Sequence, residues 1–166
     1  MTLQQLNQLS DEDAGQQFRQ CCSSERWVER MVESRPYHSA ADLHAAADVH
    51  WRNLNEHDFL QAFDGHPKIG DVDSLKEKYR NTKALAAGEQ SSVAVASDDV
   101  IQALAQGNRE YEDKFGFIFI VCATGKSAAQ MSELLQARLP NERAVELNNA
   151  AEEQRKIFHL RLEKLL

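Results

Sequence analysis

The chain is short of the residues that punctuate or cross-link. Three prolines and seven glycines in 166 residues argue against a loop-rich or disordered protein. Only three cysteines occur, Cys21, Cys22 and Cys122, and two of them are adjacent. An odd count without a CxxC pair argues against a disulfide framework or a thiolate zinc site. No apolar run approaches the ~20 residues needed to span a bilayer. The opening residues, Met1 to Asp13, are polar and acidic and do not read as a signal peptide. The chain ends Lys164-Leu165-Leu166 rather than in a Ser-Lys-Leu peroxisomal address. A reducing cytoplasm is the expected location, with no membrane partner. There is no basic run, and the net charge is -7. That argues against nucleic acid as a partner. It leaves an anionic ligand open, because a pocket can be locally positive.

Motifs are missing as well. The six histidines, His38, His44, His50, His57, His66 and His159, form neither an HExxH nor an i, i+4 pair. No metal site is expected. Neither a GxSxG elbow nor a phosphate-cradling glycine loop is present, so a nucleophilic serine or a nucleotide site has no support. Cys21 and Cys22 read as two small core residues.

What is there reads as helix after helix. The length suits one domain with a sizeable core, and 42% of residues are apolar. Ser10, Ser23 or Ser24, Ser39, Asn55, Ser97 and Ser127 stand where helix caps are wanted. Apolar residues follow at helical spacing. These are Trp27, Val28, Met31 and Val32; then Leu43, Ala47, Val49 and Trp51; then Phe59 and Phe63. Later come Ile101, Leu104, Tyr111 and Phe115, with Asn108 in the same stripe, and Ala128, Met131, Leu134, Leu135 and Leu139. The last helix runs from about Glu142, with Leu147, Ala151, Phe158, Leu162 and Leu165 on one stripe. One or two short helices are expected over Val72 to Ala87. Val93 to Ala96 could be a strand by propensity, but it is short and isolated. Phe117 to Ala123 is more strand-like, yet one strand cannot form a sheet. The expectation is an all-α fold: a single domain, residues 1–166, of about eight helices with one extended buried segment.

One histidine differs from the other five. His66 lies in Gly65-His66-Pro67-Lys68-Ile69-Gly70-Asp71. Proline fixes its own φ and pushes the residue before it out of the helical region. A ring so mounted can be aimed, and it titrates near neutral pH. That is either a general acid–base group or a loop histidine bonded to backbone. A carboxylate such as Glu89 beside it would orient the ring and favour its charged form. Arg161 flanks the apolar stripe of the last helix. Its guanidinium could reach a carboxylate bidentately, or its stem could pack with the head in water.

The loop, Glu89-Gln90 and the run Asn108-xx-Tyr111-xx-Lys114-Phe115-Gly116-Phe117-Ile118-Phe119 together resemble the 2-oxo-4-hydroxy-4-carboxy-5-ureidoimidazoline (OHCU) decarboxylases. These enzymes take the last step from uric acid to (S)-allantoin. The resemblance spans roughly residues 5 to 165. It implies an all-helical fold, commonly a homodimer, with no metal or organic cofactor and a small-molecule substrate. It implies catalytic roles for His66, Glu89 and Arg161. It implies substrate contacts from Pro67, from Ala86, Gly88, Glu89 and Gln90, and from the backbone of Phe119, Ile120, Val121, Cys122 and Ala123. This chain has Ala86 where the family often has serine, so a backbone group would replace a hydroxyl there. Two rival readings remain. One is a non-enzymatic helical interaction module with the histidine loop as a structural turn. The other is a hydrolase of 5-hydroxyisourate, which would need an activated water.

Overall fold

The computed structural model describes residues 1–66, 72, 73, 75 and 98–166. Among these residues there are eight helices and no strand, so the all-α expectation holds. In chain order they are α1 (Leu3–Gln8), α2 (Asp11–Cys21), α3 (Glu25–Glu33), α4 (Ala40–Arg52), α5 (Glu56–Asp64), α6 (Asp98–Phe115), α7 (Ala128–Arg138) and α8 (Arg143–Leu165). Most of the segment Val72 to Ala87, and all of Val93 to Ala96, lie outside the described residues.

Several helices start where a short polar side chain can accept an orphan N–H. Ser10 Oγ accepts from Asp13 N, and Asp11, Glu12 and Asp13 place negative charge in the first turn of α2. Ser39 caps α4 through Asp42 N. Asn55 with Asp58, and Ser127 with Gln130, form reciprocal capping boxes on α5 and α7. Each such cap stabilises its helix by about 1 kcal/mol. Ser24 differs. It stands at the start of α3 without a cap bond, and its buried Oγ has no partner among the described residues.

The chain divides into two compact units. The first holds Met1–His66 and Asn149–Leu166. Here α3 packs on α2, α4 and α5. Its core is aromatic at the centre: the Trp27 and Phe158 rings lie 5.1 Å apart, and Phe18 meets Trp27 edge-on at 6.1 Å. Both indoles satisfy their N–H groups, Trp27 on the Ala47 carbonyl and Trp51 on the Ala151 carbonyl, each at 3.1 Å. Cys21 and Cys22 are buried and unbridged, as small core residues. Val49 is not in this core. It is 44% exposed, because it lies off the face that Leu43, Ala47 and Trp51 bury.

The second unit spans Pro67–Asn148. Its α6 packs on α7 and buries Ile101, Leu104, Tyr111 and Phe115. Asn108 is half-buried in that stripe. Gly116 ends α6 with φ 81°, a left-handed conformation that glycine adopts without strain. Phe117 to Ala123 follows as irregular chain with no strand. Only Phe117 and Ile120 are buried, and the rest of the segment is half-buried, so it is less enclosed than its composition suggests. In α7, Leu134 faces outward at 36% exposure while Ala128, Met131 and Leu135 are buried.

The stripe on α8 also departs from its apolar pattern. The buried positions are Glu146, Ala150, Gln154, Phe158 and Leu162. Leu147, Ala151 and Leu165 are half-buried at its edge. Two polar residues thus occupy places that periodicity assigns to hydrocarbon, and each has a polar partner to explain it.

Candidate active site

His66 is delivered by the end of α5. Its backbone N–H donates to the Phe63 carbonyl at 3.1 Å, and Gly65 N–H donates to the Ala62 carbonyl at 3.3 Å. The start of α3 clamps this turn. Ser23 Oγ donates to the Gln61 and Ala62 carbonyls, both at 3.3 Å, and the Gln61 side-chain oxygen accepts from Glu25 N at 2.9 Å. The fit is tight enough to require a glycine: a Cβ on Gly65 would come 2.0 Å from Ser23 Oγ. The described side of the loop is thus fixed by both backbone and side-chain bonds.

The ring of His66 is half-buried, and its Nε2 lies 2.5 Å from Gln154 Oε1. Gln154 is fully buried on α8. Among the described residues the Gln154 Nε2 has no partner, and neither has His66 Nδ1. Arg161 lies seven residues, or about two turns, beyond Gln154 on one face of α8. Its Nη1 reaches the Cys21 carbonyl at 3.3 Å and the Gln20 carbonyl at 3.5 Å. Those carbonyls end α2, where the helix dipole is negative. Arg161 is exposed and pairs with no carboxylate among the described residues, so most of its N–H donors are uncommitted.

Electrostatics disfavour the charged form of this ring. Burial lowers the His66 pKa below its ordinary value; the Gln154 bond works the other way, and the nearby Arg161 charge lowers it further. Cys21 and Cys22 are pushed up to about 11 and about 12, mainly by burial, so both are thiols at neutral pH.

Of the sequence-derived candidates, His66 and Arg161 come together. Pro67, Ala86, Gly88, Glu89 and Gln90 lie outside the described residues. Phe119 to Ala123 belong to the second unit. There the Ile120 carbonyl accepts from Arg138 Nη1 at 2.8 Å, and the Cys122 carbonyl accepts from Lys126 Nζ at 2.7 Å. The Ala123 carbonyl accepts from Lys126 N at 3.0 Å, so three of that segment's acceptors are already in use. Arg138 is itself fixed. Its Nε donates to Glu146 Oε1 at 2.6 Å, and its guanidinium lies 4.6 Å from the centre of the Phe119 ring. Tyr111 Oη donates to the same carboxylate at 2.7 Å, and Asn141 Nδ2 donates to Oε2 at 2.8 Å.

Gln154, Arg138 and Glu146 escaped the sequence reading. The signal for Gln154 and Glu146 was faint, a polar residue at an apolar register of the last helix, and Arg138 at the end of α7 gave none. A further cluster was also missed. His44 Nδ1 and His159 Nδ1 are 2.7 Å apart, and His159 Nε2 donates to Asp48 Oδ1 at 2.7 Å. Arg155 Nη1 also reaches Asp48 Oδ1, at 3.1 Å. Burial opposes charge on Asp48, but the bonds from His159 and Arg155 outweigh it and hold the carboxyl below its usual range. Among the described residues no group of three or more His, Cys, Asp or Glu is placed to hold a metal ion. Among those residues, too, no helix is long and apolar enough to cross a membrane.

Residues 7–163 match the family model described as OHCU decarboxylase. The chain is 36% identical over 149 residues to the uric acid degradation bifunctional protein TTL of Arabidopsis thaliana, covering 90% of this chain and 46% of that protein. It therefore spans less than half the length of that relative. Against the 2-oxo-4-hydroxy-4-carboxy-5-ureidoimidazoline decarboxylase of Haloferax volcanii it is 26% identical over 163 residues, covering 98% of this chain and 94% of that one. A crystal structure of OHCU decarboxylase in the presence of (S)-allantoin superposes with a TM-score of 0.74 at 35% identity, covering 95% of this chain and 98% of that chain.

Proposed function

The chain belongs to the OHCU decarboxylase family, and we propose that it decarboxylates 2-oxo-4-hydroxy-4-carboxy-5-ureidoimidazoline to (S)-allantoin in urate breakdown, with His66 as the acid–base group. The observation that carries this reading is the family match over residues 7–163, joined to a half-buried histidine whose charged form is disfavoured and which is held at both backbone and ring. The solved relative of similar length was crystallised with the product of this reaction.

The chemistry suits these residue types. The substrate carries its carboxylate on a ring carbon next to an imine-like carbon. When carbon dioxide leaves, the conjugated ring accepts the electron pair, so the reaction itself provides the sink. The protein's tasks are to hold the carboxylate out of the ring plane, stabilise the delocalised anion and deliver a proton to one face. His66, neutral near pH 7, is suited to accept a proton and return it. Arg161, with donors uncommitted among the described residues, is suited to the anionic substrate or its ureido arm. Glu89 is assigned to the catalytic set on the family resemblance. Pro67, Ala86, Gly88 and Gln90, and the backbone of Phe119 to Ala123, are assigned to substrate contact on the family resemblance. A cytoplasmic homodimer, working without metal or organic cofactor, completes the reading.

The test is turnover of substrate generated freshly from urate, followed by circular dichroism. The chain is expected to speed carbon dioxide loss and give (S)-allantoin in excess. Racemic allantoin formed at the uncatalysed rate would favour an interaction module instead. Acceleration of the preceding hydrolysis of 5-hydroxyisourate would favour the hydrolase.

A further inference from the structure

We infer that Gln154 is a positioning residue that locks His66 into one neutral tautomer, with the hydrogen on Nε2, and so makes Nδ1 the ring's basic atom. The inference rests on the decarboxylase reading for its consequence and on geometry for its substance. His66 Nε2 lies 2.5 Å from the side-chain oxygen of Gln154. An amide oxygen only accepts, so the shared hydrogen belongs to Nε2. A neutral imidazole carries one hydrogen, and the bond at one nitrogen decides the state of the other. Nδ1 is then left with its lone pair, and no described residue takes it.

The setting of Gln154 supports a dedicated role. It is fully buried at a register of α8 whose neighbours, Ala150 and Phe158, are apolar. Its Nε2 is buried without a partner among the described residues. A buried orphan donor typically costs about 1–3 kcal/mol, and a leucine at this register would avoid that cost. An amide retained despite that orphan donor is accounted for if its oxygen does something for His66. Among the described residues the charged group facing the ring is Arg161, and the nearby thiols Cys21 and Cys22 are uncharged near neutral pH. A glutamine satisfies Nε2–H without adding the negative charge that would favour imidazolium, whereas a carboxylate at the same place would add it.

The experiment uses the full chain with 15N-labelled histidine, read by long-range 1H–15N correlation above the pKa of His66. The expected wild-type spectrum shows a protonated Nε2 and a pyridine-like Nδ1 for His66. Gln154→Leu is expected to lose this single-tautomer pattern and to lower kcat by about 10–100-fold, the scale seen for partners that orient metal-ligating imidazoles, with little change in KM. Gln154→Glu is expected to keep Nε2 protonated and to move the acid limb of the pH–rate profile upward. It also serves if the leucine variant does not fold. A wild-type ring protonated at Nδ1 overturns the inference, and so does Gln154→Leu with wild-type kcat and pH profile. His66→Ala separates the two levels. If it retains full turnover, the reaction assignment falls. If it is inactive while Gln154→Leu is fully active, only the role of Gln154 falls.

Discussion

Helix α8 carries two fully buried polar side chains, Glu146 and Gln154, and their surroundings differ sharply. Glu146 accepts from Tyr111, Arg138 and Asn141, so both carboxylate oxygens are used. Gln154 has one bond, to His66, and a donor left over among the described residues. A closed polar network buried in a core holds parts in place and specifies one packing. An open one loses stability and is retained where something else is gained. Glu146 therefore reads as a lock on the second unit, tying α6, α7 and α8 and, through Arg138, the Ile120 carbonyl. Gln154 reads as part of the chemistry in the first unit.

The largest effect is expected from breaking the lock. Glu146→Ala leaves Arg138, only 12% exposed at its side chain, without its buried partner. The loss should be about 3–5 kcal/mol in urea unfolding. Pairing it with Arg138→Met should recover part of that loss, because the orphaned charge goes too. If the single variant is as stable as wild type, Glu146 is no lock.

Tyr111→Phe should cost less, about 1.5–3 kcal/mol, since it removes the bond to Glu146 and a longer one from Arg138 Nη2, at 3.3 Å, while Arg138 and Asn141 still hold the carboxylate. The phenol is otherwise held protonated well above its usual range by burial and by the bond to Glu146. Gln154→Leu should change stability by no more than about 1 kcal/mol, and in either direction, because the lost bond and the removed orphan donor oppose each other. An unfolding penalty matching that of Glu146→Ala would erase the contrast.

The smallest expected effect is on pH dependence. The His66 pKa is lowered on folding, so the unfolded chain binds the more protons between the two values. Its contribution to stability is full above the unfolded value of about 6.5 and fades as the pH falls below it. The same sign holds for kcat/KM if the neutral ring is the active form. Turnover should then fall on acidification, with a limb below about 6.5. Tyr111→Phe should leave that limb in place, because the network around Glu146 contains no histidine.

Much of the fold was legible because helix starts are local. Ser10, Ser39, Asn55 and Ser127 each cap where a short polar residue precedes an apolar stripe. Burial was less legible, because periodicity says which residues could face a core and not which do. Val49 and Leu134 fit their stripes and still face outward. Glu146 and Gln154 break theirs and are buried, since each partner comes from a distant stretch of chain: Tyr111 and Arg138 for one, His66 for the other. His66 itself stood out through its neighbours Gly65 and Pro67. The anchoring of Arg161 on the end of α2 could not be read, because it joins residues about 140 apart.

The most direct measurement is the product of His66→Ala on freshly generated substrate, read promptly by circular dichroism beside a thermal melt of the same sample. The account predicts an unchanged fold, a rate near the uncatalysed one and no excess of (S)-allantoin. A folded variant that forms (S)-allantoin as fast as wild type would contradict it.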